Sequence, residues 1–141
     1  MPATVELSIV IRAPPERVFE FRRDLTNLPR YNPDVVGLRR EGDAYHFRVK
    51  VLPGFAFETV LTVREATPPA RLVFAITSLV DAVETCTFER VEGGTRVRFE
   101  TRILSPSGIF GMLFDRIFAV PAARRQSAAE LERIKEILEQ G

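Results

Sequence analysis

A chain of 141 residues has the length of one domain, and a domain of that size buries about 70% of its unfolded surface. Its composition, 45% hydrophobic and 28% charged, is that of a globular protein, and 20 basic against 19 acidic residues leave a net charge of +1. That balance offers no electrostatic excess to nucleic acid or anionic lipid, and no apolar run reaches the roughly 18 residues that cross a bilayer. The single cysteine, Cys86, has no partner for an internal disulfide, and MPATVELSIVIR lacks the basic start and apolar run of a signal peptide. A cytoplasmic location is expected.

In chain order, Thr4 to Arg12 alternates, with Val5, Leu7, Ile9 and Ile11 on one face, the period of a half-buried strand. Pro14 and Pro15 then open a helix in which Val18, Phe21 and Leu25 recur, and a second short helical turn, Thr26 to Tyr31, is closed by Pro33. From Val35 to Ile103 the chain reads as strands joined by turns. A two-residue loop at Gly42-Asp43 would pair Leu38 with Phe47 and Val36 with Val49. It turns Tyr45, Phe47, Val49 and Val51 to one face, and His46, Arg48 and Lys50 to the other. A loop at Gly93-Gly94 would pair Phe88 with Phe99, Cys86 with Thr101 and Glu84 with Ile103, and would set Glu89 opposite Arg98. Between these hairpins Phe55, Phe57, Thr59, Leu61 and Val63 alternate, and Leu72, Phe74 and Ile76 follow the Pro68-Pro69 break. The sum is an α+β chain with about seven antiparallel strands and one apolar sheet face that helices must cover.

The C-terminal segment divides at Pro121. After it, ARRQSAAELERIKEILEQ is strongly helical, with Ala128, Leu131, Ile134 and Leu138 as a packing stripe. Before it, SPSGIFGMLFDRIFAV is apolar around the whole helical wheel, Asp115 and Arg116 excepted. A surface helix cannot carry that pattern without burying more than one side. The second side must meet the rest of the fold, a small apolar ligand, or a partner such as a membrane surface or a second subunit. Pro121 should kink the helix or separate two, and Asp115 and Arg116 should mark its solvent side.

The opening strand into APPERVFEF, the segment LPRYNPDV, the hairpin FERVEGGTRVRFE and the helix ending RRQSAAELERIKEIL resemble, in their order and spacing, the START-like or helix-grip superfamily. That superfamily (SRPBCC) includes the major birch pollen allergen, lipid-transfer domains and polyketide cyclase/dehydrase-like proteins. The resemblance covers nearly the whole chain, with Tyr31 standing where many relatives carry tryptophan. It implies a seven-stranded curved antiparallel sheet wrapped round a long C-terminal helix, two short helices after the first strand, and a cavity for apolar or amphipathic molecules. No cofactor is expected, and the superfamily spans binding proteins, enzymes, co-chaperones and ribosome-associated factors.

Candidate chemistry is sparse. His46, the one histidine, falls on the outward face, and a lone histidine and a lone cysteine on opposite faces make no metal site. Glu84 and Cys86 point toward the expected cavity, with Thr59 and Thr101 near them. A carboxyl on an apolar face can serve acid/base work or recognise a ligand hydroxyl. Glu84 can equally sit at a strand end and pair with Arg90 or Arg40, and Cys86 can be a small buried filler. Phe47, Phe57, Phe74, Phe88 and Phe99, joined by Phe110, Leu113, Phe114, Ile117 and Phe118, would form an aromatic-rich wall. The charge runs Arg22-Arg23-Asp24, Arg39-Arg40-Glu41 and Arg124-Arg125 read as solvated. Three functions follow: binding of a lipid, isoprenoid or polyketide-like aromatic; a cyclase or dehydratase using Glu84; or an interaction module in which residues 109–120 dock on a membrane surface or in a homodimer. No nucleic-acid partner is expected.

Overall fold

The computed structural model describes residues 3–104, 113 and 115–140. The alternating segments form β1 (Ala3–Ile11), β2 (Val35–Glu41), β3 (Ala44–Leu52), β4 (Phe55–Thr67), β5 (Arg71–Thr77), β6 (Asp81–Val91) and β7 (Gly94–Leu104). They make one curved antiparallel sheet in the order β1-β7-β6-β5-β4-β3-β2. Between β1 and β2 lie α1 (Pro15–Arg23), a 3-10 turn (Leu25–Asn27) and α2 (Leu28–Tyr31). After β7, a π-helical turn (Asp115–Ala119) leads into the long α3 (Val120–Gln140). The helix-grip arrangement expected from the sequence is therefore present.

One face of the sheet is covered by helices and the other is solvated, which is why the strands alternate so cleanly. Val5, Ile11, Val97, Phe99, Phe88, Cys86, Leu72, Phe74, Leu61 and Phe47 are buried on the covered face. On β7 the charged residues Arg96, Arg98, Glu100 and Arg102 all fall on the exposed face. Leu131, Ile134 and Leu138 of α3 join the core, and that helix packs chiefly along β1.

Two hairpin registers differ from the sequence reading. In β6–β7 the loop is Glu92-Gly93, because Val91 pairs with Gly94. Partners shift by two: Phe88 faces Val97, Cys86 faces Phe99 and Glu84 faces Thr101. An even shift keeps every side chain on its face, so Phe88 and Phe99 remain inward. Gly94 has φ 152°, and a Cβ there would run into the Ile11 carbonyl oxygen. This glycine serves a close approach of β7 to the end of β1, not the tip of the turn. Glu89 accordingly meets Arg96, and Arg98 meets Glu6. In β2–β3 the loop is Gly42-Asp43 as expected, but a bulge between Val36 and Arg39, with Gly37 at φ 68°, sets Val36 opposite Arg48 and Val35 opposite Val49.

The helical stripes also move. On α1 the buried side is Pro15, Val18, Phe19 and Arg22, spaced i, i+3, i+4, i+7, while Phe21 is only half-buried and tilts onto Tyr31. On α3 Ala128 is exposed, and Ser127 and Glu130 are buried with Leu131, Ile134 and Leu138. Pro121 is the second residue of α3, where the first amides have no helical acceptor, so the missing N–H leaves the body of the helix unbroken. The irregularity lies in the wide turn just before it. Arg116 is exposed as expected, whereas the expectations for the side chains of Val51 and Asp115 lie outside the described residues.

Candidate functional site

The shifted stripe on α1 carries Arg22 into the core, where it is 2% exposed. Its Nη2 donates to Glu84 Oε2 at 2.6 Å, and its Nη1 donates to the Tyr31 hydroxyl at 2.6 Å. The guanidinium carbon lies 5.0 Å from the ring centres of both Phe74 and Phe99, close enough for cation–π attraction. The sheet register explains the arrangement: Phe74, Glu84 and Thr101 are directly opposed across β5, β6 and β7. Burial works against the charge on Arg22, yet Glu84, helped by Tyr31, Cys86 and Glu130, holds its pKa well above the ordinary value. Burial likewise pushes up the Tyr31 phenol and the Cys86 thiol, so Cys86 is not a thiolate at neutral pH.

Beside this cluster a cavity of about 350 Å³ opens between the sheet and the first half of α3. That volume is in the range of small-molecule sites. Phe47, Val49, Phe57, Leu61, Ile76, Ala82 and Ile103 line it from the strands, and Ala122, Ala123, Gln126, Ser127 and Glu130 line it from α3. Leu79 and Phe118 both line the cavity and are more than 60% exposed, so they mark its mouth. Arg22, Asn32, Thr59, Ser78, Glu84 and Thr101 add polar groups to the wall, and Leu28 and Val80 add apolar surface. Thr59 and Ser78 satisfy each other, their hydroxyl oxygens 2.9 Å apart.

The second carboxyl in the wall is Glu130, 8% exposed, whose Oε2 accepts from Asn32 Nδ2 at 3.0 Å. It has no ion pair among the described residues. Burial raises its pKa to about 7, Arg22 and the Asn32 hydrogen bond opposing the rise and Glu84 adding to it. The site therefore joins a closed ion pair to a carboxyl poised near neutrality, both at the edge of an apolar void.

A family model for polyketide cyclase/dehydrase and lipid-transport proteins matches residues 2–139. The chain belongs to that family. Its fold recurs in protein CV1439 of Chromobacterium violaceum, 18% identical, with a TM-score of 0.77 over 98% of this chain and 99% of that one. It recurs in TTHA0849 of Thermus thermophilus, 23% identical, TM-score 0.76, over 95% of each chain. It also recurs in the di-domain ARO/CYC BexL of the BE-7585A biosynthetic pathway, 20% identical, TM-score 0.78, over 98% of this chain and 50% of that one. No curated protein matches the sequence. At these identities the structures share the fold alone.

Of the residues singled out from sequence, Phe47, Phe57, Thr59, Glu84, Thr101 and Phe118 line the cavity. Phe74, Cys86, Phe88 and Phe99 do not: they are buried behind the wall, where Phe88 stacks edge-on to Phe19 and Phe74 and Phe99 flank Arg22. Leu113 and Ile117 are exposed and stand apart from the lining. Phe110 and Phe114 lie outside the described residues. His46 is on the outer face, 3.4 Å from Glu41. Glu84 does not pair with Arg90 or Arg40; its partner is Arg22, which the sequence reading had placed in solvent. Arg22, Asn32 and Glu130 were all missed. The available signal was the helical wheel, which puts Arg22 four residues after Val18 and Glu130 four before Ile134.

Among the described residues no helix is long and apolar enough to cross a membrane, and no group of three or more His, Cys, Asp and Glu is placed to hold a metal ion.

Proposed function

We propose that this protein binds a hydrophobic small molecule, such as a lipid, isoprenoid or polyketide-like aromatic, in the cavity between the sheet and α3. The supporting observation is the cavity itself, about 350 Å³, walled mainly by aliphatic and aromatic side chains, with Arg22, Glu84 and Glu130 as its charged groups. An apolar chamber of that size, open at the mouth marked by Leu79 and Phe118, offers a hydrophobic ligand close contacts and removal from water. Family membership supports the same reading. Native mass spectrometry of the gently purified protein should reveal a bound small molecule released by denaturation. Protein that carries none, and acquires none from a hydrophobic extract, would overturn the reading.

A second reading, a cyclase- or dehydratase-type enzyme, rests on Glu130 more than on Glu84. One oxygen of Glu84 is committed to Arg22 at 2.6 Å, while Glu130 has a pKa of about 7, suited to general acid–base work. With a polyketide-like substrate, Glu130→Gln should abolish turnover while binding persists. Turnover that survives this change removes Glu130 from the chemistry.

A further inference from the structure

We infer that the cavity selects its ligand by charge, taking a hydrophobic molecule whose polar end is a protonated amine and rejecting a carboxylate or phosphate head. The inference rests on the hydrophobic-ligand reading above and names the head group that the polar end of the cavity fits.

Arg22, Glu84 and Glu130 are the charged side chains that line the cavity among the described residues, one cation against two carboxyls. The cation is already paired with one of those carboxyls. Its Nη1 and Nη2 are held by Tyr31 and Glu84, and its Nε is buried without a partner and with essentially no accessible surface, so it is not offered to the void. The Phe74 and Phe99 rings, each centred 5.0 Å from the guanidinium carbon, hold the group where it is. An anionic head entering this space would meet two carboxyls and a cation that one of them already neutralises.

The acceptors are not spent. Glu84 uses one carboxyl oxygen on Arg22, and Glu130 uses one on Asn32. The second oxygen of each accepts no hydrogen bond among the described residues, and neither is sealed from the cavity as Arg22 Nε is. No further cation reaches Glu130 from the elements around it. The charged residues of β1 and β7, Glu6, Arg96, Arg98, Glu100 and Arg102, turn outward, and Arg116 of the π turn is exposed. Arg12 and Lys135 are engaged by Glu139 near the far end of α3. Glu130 meets Tyr31 from α2, Asn32 just after it, Arg22 from α1 and Glu84 from β6. A ligand ammonium would supply the counter-charge that Glu130 lacks and donate to its free oxygen. A buried carboxyl left without a charge partner is the device that discriminates against anions.

The test compares three probes with the same tail, decylamine, decanol and decanoate, each displacing the neutral fluorophore N-phenyl-1-naphthylamine below micellar concentration. An alkylamine, like a lysine side chain, keeps its proton to about pH 10, and decanoate is ionised throughout the range used. At pH 8 decylamine should bind about tenfold more tightly than decanoate, the scale of a charge-assisted hydrogen bond, with decanol between them. Lowering the pH to 6 should narrow that ratio as Glu130 takes up its proton. Glu130→Gln should give the narrowed ratio already at pH 8, its fold being checked by circular dichroism. If that variant does not fold, the pH series on the wild type decides. Decanoate binding as tightly as decylamine at pH 8, or a folded Glu130→Gln that keeps the full preference, overturns the charge selection and leaves the hydrophobic-ligand reading standing. Failure of all three probes overturns both.

Discussion

The two halves of α3 face the same sheet and do different work. Toward its C-terminus Leu131, Ile134 and Leu138 fill the space above the strands with large side chains, each under 5% exposed. Toward its N-terminus Ala122, Ala123, Gln126 and Ser127, with Ala119 of the preceding turn, line the cavity that opens there. The strands contribute large side chains to the chamber as well, among them Phe47, Phe57, Leu61, Ile76 and Ile103. What leaves the void is a run of small residues on one helix face, bounded by Glu130 at the point where filling begins. The buried Arg22–Glu84 pair stands at that same boundary, where a dry core meets a chamber with polar groups in its wall.

The contrast can be broken most severely at the boundary itself. Arg22→Met strands Glu84 in the interior without its partner and should cost about 3–5 kcal/mol, read as a fall in the urea midpoint. Replacing both members, Arg22→Met with Glu84→Leu, should recover most of that loss, since a buried pair gains little over apolar groups of similar size. In the packed half Ile134→Ala should cost about 2–5 kcal/mol through the cavity it leaves, with probe binding in the other half preserved. Smaller is the effect of pH acting through Glu130. Its folded-state pKa of about 7 lies above that of an unfolded glutamate, about 4.3, so between those values the folded state binds more protons. That contribution to stability is present at low pH and is lost as the pH rises through about 7. Comparison of wild type with Glu130→Gln across pH 4.5 to 8 should show the variant's midpoint falling less; parallel curves would contradict the assignment.

Much of this fold was legible in the sequence. Strict alternation in β1, β6 and β7 and the proline opening of α1 identify the elements, and the covered face follows from which alternate is apolar. The registers were less secure, because a glycine pair such as Gly93-Gly94 does not say which member turns the chain. Only the closeness of β1 shows that Gly94 is needed within the strand. The Gly37 bulge, with no flanking cue, was not readable. The site was half legible: Phe47, Phe57, Thr59, Glu84 and Thr101 follow from alternation. Arg22 was hidden because charge usually signals solvent, and a buried arginine is stable only when its partner, sixty-two residues away, arrives at the same point. Glu130 was hidden for the same reason among the many charges of α3, and its partner Asn32 comes from the other end of the chain.

The central claim is that the small-residue face of α3 keeps open a chamber for a hydrophobic molecule. It is tested most directly by titrating N-phenyl-1-naphthylamine into the wild type and into Ser127→Leu, which fills the chamber from the helix side. We predict saturable one-to-one binding to the wild type. In the variant we predict at least about tenfold weaker binding, with stability changed by less than about 1 kcal/mol because the new side chain enters existing space. Equal binding by the two proteins, or no saturable binding to the wild type, would contradict the account.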